Sequence, residues 1–260
     1  MDTPRKYVQV SVRDHVARVE LDRPPVNALS QDFVTELKEV AKSFRRCRDV
    51  WVVALTASGQ AFCAGADLKE RASLPESRVA QTVKNIQRMV HAWIEIPQPV
   101  LVAVHGAALG GGLELALAAD IIVASESAKL GFPEVGLGII PAATGTQRLS
   151  QRTRLGVANK WVLCGSPFDA QEALHDGVVD FVFPHTTFEQ EFNTVVSRVA
   201  VCAPLALRQA KKALNISYRQ SLRRGLKAES ECYAELIPTA DRAEALRAFR
   251  QKRKPIWKGK

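Results

Sequence analysis

The sequence contains no long apolar run and no regular arrangement of cysteines. No stretch reaches the roughly 18–20 apolar residues that a membrane-spanning helix needs, and the first residues, MDTPRKYVQV, lack the apolar segment of a secretory signal. The five cysteines are scattered and form no C-x-x-C pair, so neither a disulfide framework nor a zinc site is expected. These features predict a protein of the cytoplasm or, after processing, of an organellar matrix, without membrane contact.

Several familiar catalytic and binding motifs are also missing. There is no G-x-S-x-G turn for a serine hydrolase, and GGGLEL lacks the G-x-G-x-x-G spacing of a dinucleotide site. The five histidines have no metal-ligand spacing, so no metal is expected. The net charge of +9 favours anions such as RNA or the phosphates of a nucleotide. Because no RNP-type or KH-type motif occurs, RNA binding is kept only as a possible second activity.

Strand-like runs alternate with helical patterns over the first two thirds of the chain. Apolar residues between Phe33 and Phe44 recur at helical spacing behind Ser30, a predicted N-cap. Alternation of this kind indicates an α/β protein, although some regions have two strands per helix where a strict βαβ pattern has one. Strands are predicted at residues 15–23, 50–58, 99–106, 120–125, 128–132 and 178–183.

The pattern becomes wholly helical after about residue 190. Pro204 opens one predicted helix. Asp241 and Glu244 form a predicted capping box at the start of another. We expect this region to pack on the core or on another subunit.

Two glycine-containing turns follow apolar strands and precede helices. In ALGGGLELALAAD the turn consists of Gly110, Gly111 and Gly112, and in FCAGADLKE the predicted N-cap is Asp67, before a helix that starts at Leu68. Backbone N–H groups at such turns are free and lie at the positive end of a helix dipole. Two of these turns can direct two donors at one oxygen, which is the geometry of an oxyanion hole.

A single carboxylate, that of Glu114, interrupts the apolar run LELALAA. A helix that is apolar on all sides belongs in a protein interior, and burying an unpaired charge costs several kcal/mol. Either a structural partner or a chemical role must therefore retain this residue. A second glutamate, Glu134, follows Pro133 in LGFPEVGLGIIPAATGTQRL, before another glycine-containing connection.

The segments FCAGADLKE, ALGGGLELALAAD, FPEVGLGIIP and GTQRL, in this order, resemble the enoyl-CoA hydratase/isomerase (crotonase) family. LDRPPVNALS near the start and AFRQKRKPIW near the end extend the resemblance over nearly the whole chain. CAGADLKERA and ALGGGLELALA are most similar to the AU-rich-RNA-binding methylglutaconyl-CoA hydratase branch. The resemblance implies an α/β spiral of repeated ββα units at residues 1–195, with the acyl-CoA site, and an all-helical trimerisation region at residues 196–260. It also implies a homotrimer or a dimer of trimers.

The resemblance assigns roles to individual residues. The N–H groups of Ala66 and Gly111 would form the oxyanion hole for the thioester carbonyl, and Glu114 and Glu134 would add water across the 2,3 double bond of an enoyl-CoA. Coenzyme A is part of the substrate, so no separate cofactor is expected. The resemblance implies further contacts with the substrate at Val26, Ala28, Ala64, Asp67, Leu68, Gly110, Pro133, Ala142, Phe249 and Lys252.

Two positions depart from the family pattern. Ala142 and Thr144 stand where glycines are common, near the expected places of the water and the acyl chain, so the substrate range is left open. Retention of both glutamates favours a hydratase. A dedicated methylglutaconyl-CoA hydratase and an enoyl-CoA isomerase remain the alternatives.

Overall fold

Two mostly parallel sheets form the centre of the molecule in a computed structural model that describes residues 5–217 and 220–260. One sheet has six strands in the order β1-β2-β3-β5-β7-β10, and the other has four in the order β4-β6-β8-β9. The strands are β1 (Val8–Arg13), β2 (Val16–Leu21), β3 (Val52–Ala57), β4 (Ala61–Cys63), β5 (Val100–Val104), β6 (Ala107–Leu109), β7 (Ile121–Ser125), β8 (Lys129–Gly131), β9 (Pro167–Asp169) and β10 (Phe181–Phe183).

The helices connect these strands and form the C-terminal part of the chain. They are α1 (Gln31–Phe44), α2 (Leu68–Ala72), α3 (Glu76–Ile94), α4 (Gly111–Ala116), α5 (Gly145–Arg152), α6 (Leu155–Leu163), α7 (Ala170–His175), α8 (Phe188–Ala200), α9 (Pro204–Ser217), α10 (Leu222–Ala234) and α11 (Ala240–Arg250), with a short 3-10 helix at Glu134–Leu137. The predicted N-caps Ser30 and Asp67 are confirmed, since each side chain accepts a backbone N–H of the helix that follows.

Consecutive strands are shared between the two sheets, which explains the excess of strands over helices in the sequence. In each of the pairs β3/β4, β5/β6 and β7/β8, the first strand belongs to the six-stranded sheet and the second to the four-stranded sheet. Within each sheet these successive strands run parallel. A helical segment follows each pair, so the predicted spiral of ββα units is confirmed. The short strands β6 and β9, with three residues each, escaped prediction because a three-residue segment carries little periodicity.

A close backbone contact fixes α4 against β4. A β-carbon at Gly112 would lie 2.1 Å from the carbonyl oxygen of Cys63, a distance that no side chain permits. The rest of α4 is buried on all sides, with Leu113 and Leu115 in the main apolar core. The start of α4, in the second glycine-containing turn, is therefore held beside the end of β4, where the first turn begins.

The helix α8 covers the outer face of the six-stranded sheet. Its residues Phe188 and Phe192 pack with Leu101 and Val123 in a second apolar cluster. The predicted boundary between residues 195 and 196 falls inside this helix, and the C-terminal helical part of the structure starts at Phe188. A role of this part in trimerisation stays a prediction.

The predicted capping box at Asp241 and Glu244 is wrong. The N-cap of α11 is Thr239, whose hydroxyl accepts the N–H of Arg242. The buried carboxylate of Asp241 instead accepts backbone N–H groups of Lys258 and Gly259, at 2.7 and 3.0 Å. The Glu244 carboxylate likewise binds the C-terminal segment, through the N–H of Ile256 and the guanidinium of Arg253. These carboxylates fasten the last residues to α11, a long-range use that a local motif does not reveal.

We expect Gly112→Ala to destabilise the protein by at least about 2–3 kcal/mol, because α4 must move away from Cys63 to admit the methyl group. Gly225→Ala is the matched control. Gly225 lies within α10 with no atom within 4 Å of an added β-carbon, and alanine there should stabilise the helix by about 0.5–1 kcal/mol. Urea denaturation of both variants measures the difference. Equal stabilities would contradict the close contact.

Candidate active site

Three neighbouring strands of the four-stranded sheet end at the same edge, and each is followed by a predicted site residue. The strands β4, β6 and β8 are parallel and adjacent in the sheet. Ala66 follows β4, Gly111 follows β6, and Glu134 follows β8. Because the carboxyl ends of parallel neighbours meet at one edge, the spiral brings together groups that are far apart in the sequence.

Two backbone N–H groups at this edge are free. The N–H groups of Ala66 and Gly111 have no hydrogen-bond partner in residues 5–217 and 220–260. A β-carbon on Gly111 would lie 3.8 Å from the Ala66 nitrogen, so the two amides are close together. Gly111 is also the first residue of α4, where helical N–H groups lack an intrahelical partner. The arrangement fits an oxyanion hole.

The carboxylate of Glu114 is buried without a counter-ion. Glu114 is 3% exposed. Its Oε1 accepts hydrogen bonds from the backbone N–H groups of Ala143 and Gly145, at 2.6 and 2.7 Å. Burial and, to a smaller extent, the nearby charge of Glu134 raise the pKa of Glu114 from its ordinary 4.5 to about 7, against the two amide bonds, which lower it. At neutral pH this carboxyl therefore exchanges a proton easily.

The second carboxylate, of Glu134, lies against the glycine turn before α4. A β-carbon at Gly110 would come within 2.6 Å of Glu134 Oε1, and the positive φ of 51° at Gly110 likewise favours glycine. Burial raises the pKa of Glu134, while its own backbone N–H and the charge of Arg71 act against this rise. Its Oε2 is buried and has no hydrogen-bond partner in the described chain, so it is available to a ligand.

One cavity of about 370 Å³ contains all four predicted groups of the reaction centre. Most of its remaining wall is apolar, and Arg71 is the only cationic residue among the described residues that line it. The lining comprises Ala66, Arg71, Val83, Ile86, Gly111, Glu114, Glu134, Ile139, Ile140, Ala142 and Ala143. A largely apolar cavity with a few convergent polar groups is typical of a small-molecule site.

Seven further residues predicted to contact the substrate comprise two linked pairs and three single positions. Val26 and Ala64 lie side by side, joined by a backbone hydrogen bond of 3.0 Å. Ala28 and Asp67 are linked through Arg23, which donates to the Ala28 carbonyl and pairs with the Asp67 carboxylate, both at 2.8 Å. The exposed Leu68 follows at the start of α2, and Gly110 and Pro133 flank the glutamates.

Phe249 and Lys252 lie apart from this cavity. Phe249 is 84% exposed on α11, and Lys252 follows that helix with a φ of 52°. Neither residue lines the cavity within the single described chain. Their contact with CoA, in the same chain or in a neighbouring subunit, stays a prediction.

Three important contacts escaped sequence reasoning. Arg71 lies one helical turn beyond Asp67, and only the phase of α2 shows that it, rather than Lys69, lines the cavity. Ala143 and Gly145 bind Glu114 through backbone N–H groups, which side-chain patterns do not report. The run of small residues AATG at positions 142–145 was the available signal.

The chain is similar to known proteins over nearly its whole length. The model of the enoyl-CoA hydratase/isomerase family matches residues 11–260. This chain belongs to the enoyl-CoA hydratase/isomerase family. It is thus confirmed as an enzyme of the predicted family, with enoyl-CoA hydratases among its relatives.

Solved and curated members of the family cover most of the chain. A crystal structure of an enoyl-CoA hydratase from Bacillus anthracis superposes with a TM-score of 0.95 at 40% identity, over 98% of this chain and 100% of that one. The 2,3-dehydroadipyl-CoA hydratase of Escherichia coli is 38% identical, over 96% of this chain and 98% of its own. The mitochondrial methylglutaconyl-CoA hydratase of Homo sapiens is 37% identical, over 90% of this chain and 70% of its own.

Two kinds of structural feature are absent from residues 5–217 and 220–260. No helix in these ranges combines the length and hydropathy that crossing a bilayer requires. Nor do the ranges contain three or more histidine, cysteine, aspartate or glutamate side chains placed to hold a metal ion.

The raised pKa of Glu114 predicts a specific pH dependence of stability. Between about pH 4.5 and 7 the folded protein holds a proton that the unfolded chain releases, so the free energy of unfolding should fall by roughly 3 kcal/mol as the pH rises through this window. Glu114→Gln should remove this fall and be the more stable protein at pH 8.

Urea denaturation at pH 5 and pH 8 measures this effect. Glu229→Gln, on the exposed surface of α10, is the control and should behave as the wild type does. The same pH dependence in wild type and Glu114→Gln would contradict a buried, ionisable Glu114.

Proposed function

We propose that this protein adds water across the 2,3 double bond of an enoyl-CoA thioester. One observation carries the proposal: two unpaired N–H groups and two buried carboxylates share a single cavity. The family relationship supports the choice of a CoA thioester as substrate. Coenzyme A then arrives with the substrate, and the proposed reaction needs no separate cofactor.

The N–H groups of Ala66 and Gly111 would donate hydrogen bonds to the carbonyl oxygen of the thioester. When water attacks the β-carbon, negative charge moves onto this oxygen, and two fixed donors stabilise it more than they stabilise the neutral carbonyl. Each such donor typically lowers the barrier by about 3–4 kcal/mol. Because both donors belong to the backbone, they are oriented before the substrate arrives.

The two glutamates would divide the proton transfers between them. One carboxylate takes a proton from the attacking water, and the other gives a proton to the α-carbon. Oε1 of Glu114 is occupied by two amides, so its other oxygen and the unpaired Oε2 of Glu134 are the atoms that face the reaction. The protonation state belongs to the pair, since neighbouring carboxylates titrate together.

The presence of both carboxylates also favours hydration over isomerisation. Moving a double bond transfers one proton between two carbons, and a single acid–base group suffices. Hydration must activate a water and protonate a carbon, and a pair of carboxylates suits these two tasks. Isomerase activity stays the alternative for substrates with a 3,4 double bond.

A second candidate narrows the substrate to enoyl-CoA esters with a distal carboxylate. Arg71 lines the cavity and forms no ion pair with a carboxylate of the described residues, although its charge acts on the nearby Glu134. Guanidinium groups bind carboxylates through paired N–H donors. The named substrates of two relatives, 2,3-dehydroadipyl-CoA and methylglutaconyl-CoA, both carry such a second carboxyl group. A dedicated methylglutaconyl-CoA hydratase is one form of this candidate.

Glu114→Gln and Glu134→Gln should each lower the hydration rate by about 10²–10⁴-fold, because each variant lacks one proton-transfer group. Loss of the ultraviolet absorbance of the conjugated enoyl thioester, measured with crotonyl-CoA and a longer enoyl-CoA, follows the reaction. Glu229→Gln is again the surface control. Full activity in either active-site variant, or no hydration of any enoyl-CoA by the wild type, would refute the proposed function.

Arg71→Met should lower kcat/KM for 3-methylglutaconyl-CoA relative to crotonyl-CoA by about 10–100-fold, because the distal carboxylate would lose its partner. Arg71→Lys should retain part of the preference, since it keeps the charge but not the fork of donors. Arg78→Met, exposed on α3, is the control. An unchanged ratio would exclude the distal-carboxylate candidate and leave the hydratase proposal standing.

We also propose a homotrimer or a dimer of trimers. Large apolar side chains remain exposed on the C-terminal helices, among them Leu222 on α10 and Phe249 on α11, and a second copy of the chain would cover them. In such an assembly Phe249 and Lys252 would reach the CoA of a neighbouring subunit. Bacterial and mitochondrial relatives both exist, so a cytoplasmic or matrix location remains part of this proposal.

A further inference from the structure

Thr144 has an unusual backbone conformation for its residue type. Its φ of 88° and ψ of −4° lie in the left-handed region. Residues with a branched β-carbon rarely adopt this region, because the side chain crowds the backbone. Such strain persists only where the surroundings enforce it, and it concentrates at functional sites.

Thr144 also leaves unused the hydrogen bond that its position offers. It is the N-cap residue of α5, where a threonine usually has an extended backbone and accepts a helical N–H with its hydroxyl. Here the side chain makes no capping bond, and the hydroxyl oxygen is buried without a partner in the described chain. The hydroxyl of Thr144 therefore takes no part in capping α5.

The carboxylate of Glu114 occupies the capping place instead. Its Oε1 accepts the N–H groups on either side of Thr144, from Ala143 and Gly145, and Gly145 is the first residue of α5. The strained turn thus aims the start of α5 at Glu114. Two hydrogen bonds to a charged acceptor offset the strain, because bonds of this kind are about twice as strong as neutral ones.

We propose that Thr144 is a positioning residue that couples the turn to the proton on Glu114. With Glu114 ionised, its charge holds the Ala143 and Gly145 amides and keeps Thr144 left-handed. When Glu114 takes up a proton, these bonds weaken, Thr144 relaxes to an extended backbone, and its own hydroxyl caps α5. The relaxation favours the protonated form of Glu114, so the turn helps to return the carboxyl to its acid state.

The other charged groups around Glu114 are separate from this turn. Glu134 of the 3-10 helix acts on Glu114 electrostatically, and Arg71 of α2 lines the same cavity. The first turn of α5 carries no acidic residue, and Arg148 of α5 donates to the Leu117 carbonyl at the far end of α4. A substitution at Thr144 leaves all of these charges in place, so a change in the titration of Glu114 reports on the turn.

The experiment is an infrared titration of the ligand-free protein, with the carboxyl band of Glu114 assigned by its loss in Glu114→Gln. Thr144→Gly removes both the strain and the alternative cap, and it should lower the pKa of Glu114 by about one unit. Thr144→Ser keeps the hydroxyl and a side chain that disfavours positive φ, and it should titrate close to the wild type. Thr144→Ala keeps strain without the cap and should lie between them.

The outcomes are distinct. An unchanged or raised pKa in Thr144→Gly, or a Thr144→Ser variant that titrates like Thr144→Gly, would overturn the coupling. Thermal unfolding checks that each variant is folded. Because glycine suits the left-handed backbone, Thr144→Gly should be about as stable as the wild type.

An effect of this coupling on catalysis rests on the hydratase function proposed above. The coupling and the hydratase function can be refuted separately. In an active hydratase, the pH profile of kcat for Thr144→Gly should move to lower pH by the same amount as the infrared titration. An infrared shift without hydration by the wild type would retain the coupling and reject the proposed function. If the wild type is a hydratase and Thr144→Gly changes neither the kcat profile nor the infrared titration, the proposed function is retained and the coupling is rejected.

Discussion

Glu114 joins α4 to the start of α5 inside the core through neutral donors, and this arrangement governs the chemistry of the site. A cation at the same place would hold the carboxylate ionised and lower its pKa. A dry pocket without donors would keep it protonated. The two amides of Ala143 and Gly145 have an intermediate effect on the ionisation of Glu114. Its pKa of about 7 reflects the balance of burial against hydrogen bonding. The carboxyl can therefore act as acid and as base near neutral pH.

The spiral supplies the rest of the site by repetition. Each ββα unit adds one strand to the four-stranded sheet, and the turn after that strand faces the same edge as its neighbours. One turn contributes Ala66, the next Gly111 and the third Glu134. The close contact at Gly112 then sets the distance between the first two turns. Small residues at these positions allow backbones to approach, so the polar groups converge without long side chains.

The local sequence predicted the parts of the site that depend on local patterns. A carboxylate in an apolar helix indicated Glu114, and glycines after a strand indicated the turn at residues 110–112, although the choice of Gly111 within that turn came from the family resemblance. Arg71 was not predictable in this way, because Lys69, Glu70 and Arg71 are adjacent charges and only the start and phase of α2 decide which one faces the cavity. The strain at Thr144 depends on a carboxylate 30 positions earlier in the chain. Long-range contacts of this kind leave no periodic signal.

A crystal structure with butyryl-CoA, the saturated counterpart of crotonyl-CoA, tests the central arrangement most directly. The thioester oxygen should lie about 2.7–3.1 Å from the backbone nitrogens of both Ala66 and Gly111. The α- and β-carbons should then lie between the Glu114 and Glu134 carboxylates. A thioester oxygen bound elsewhere, or an acyl chain that leaves the cavity away from either glutamate, would contradict the proposed hydration site.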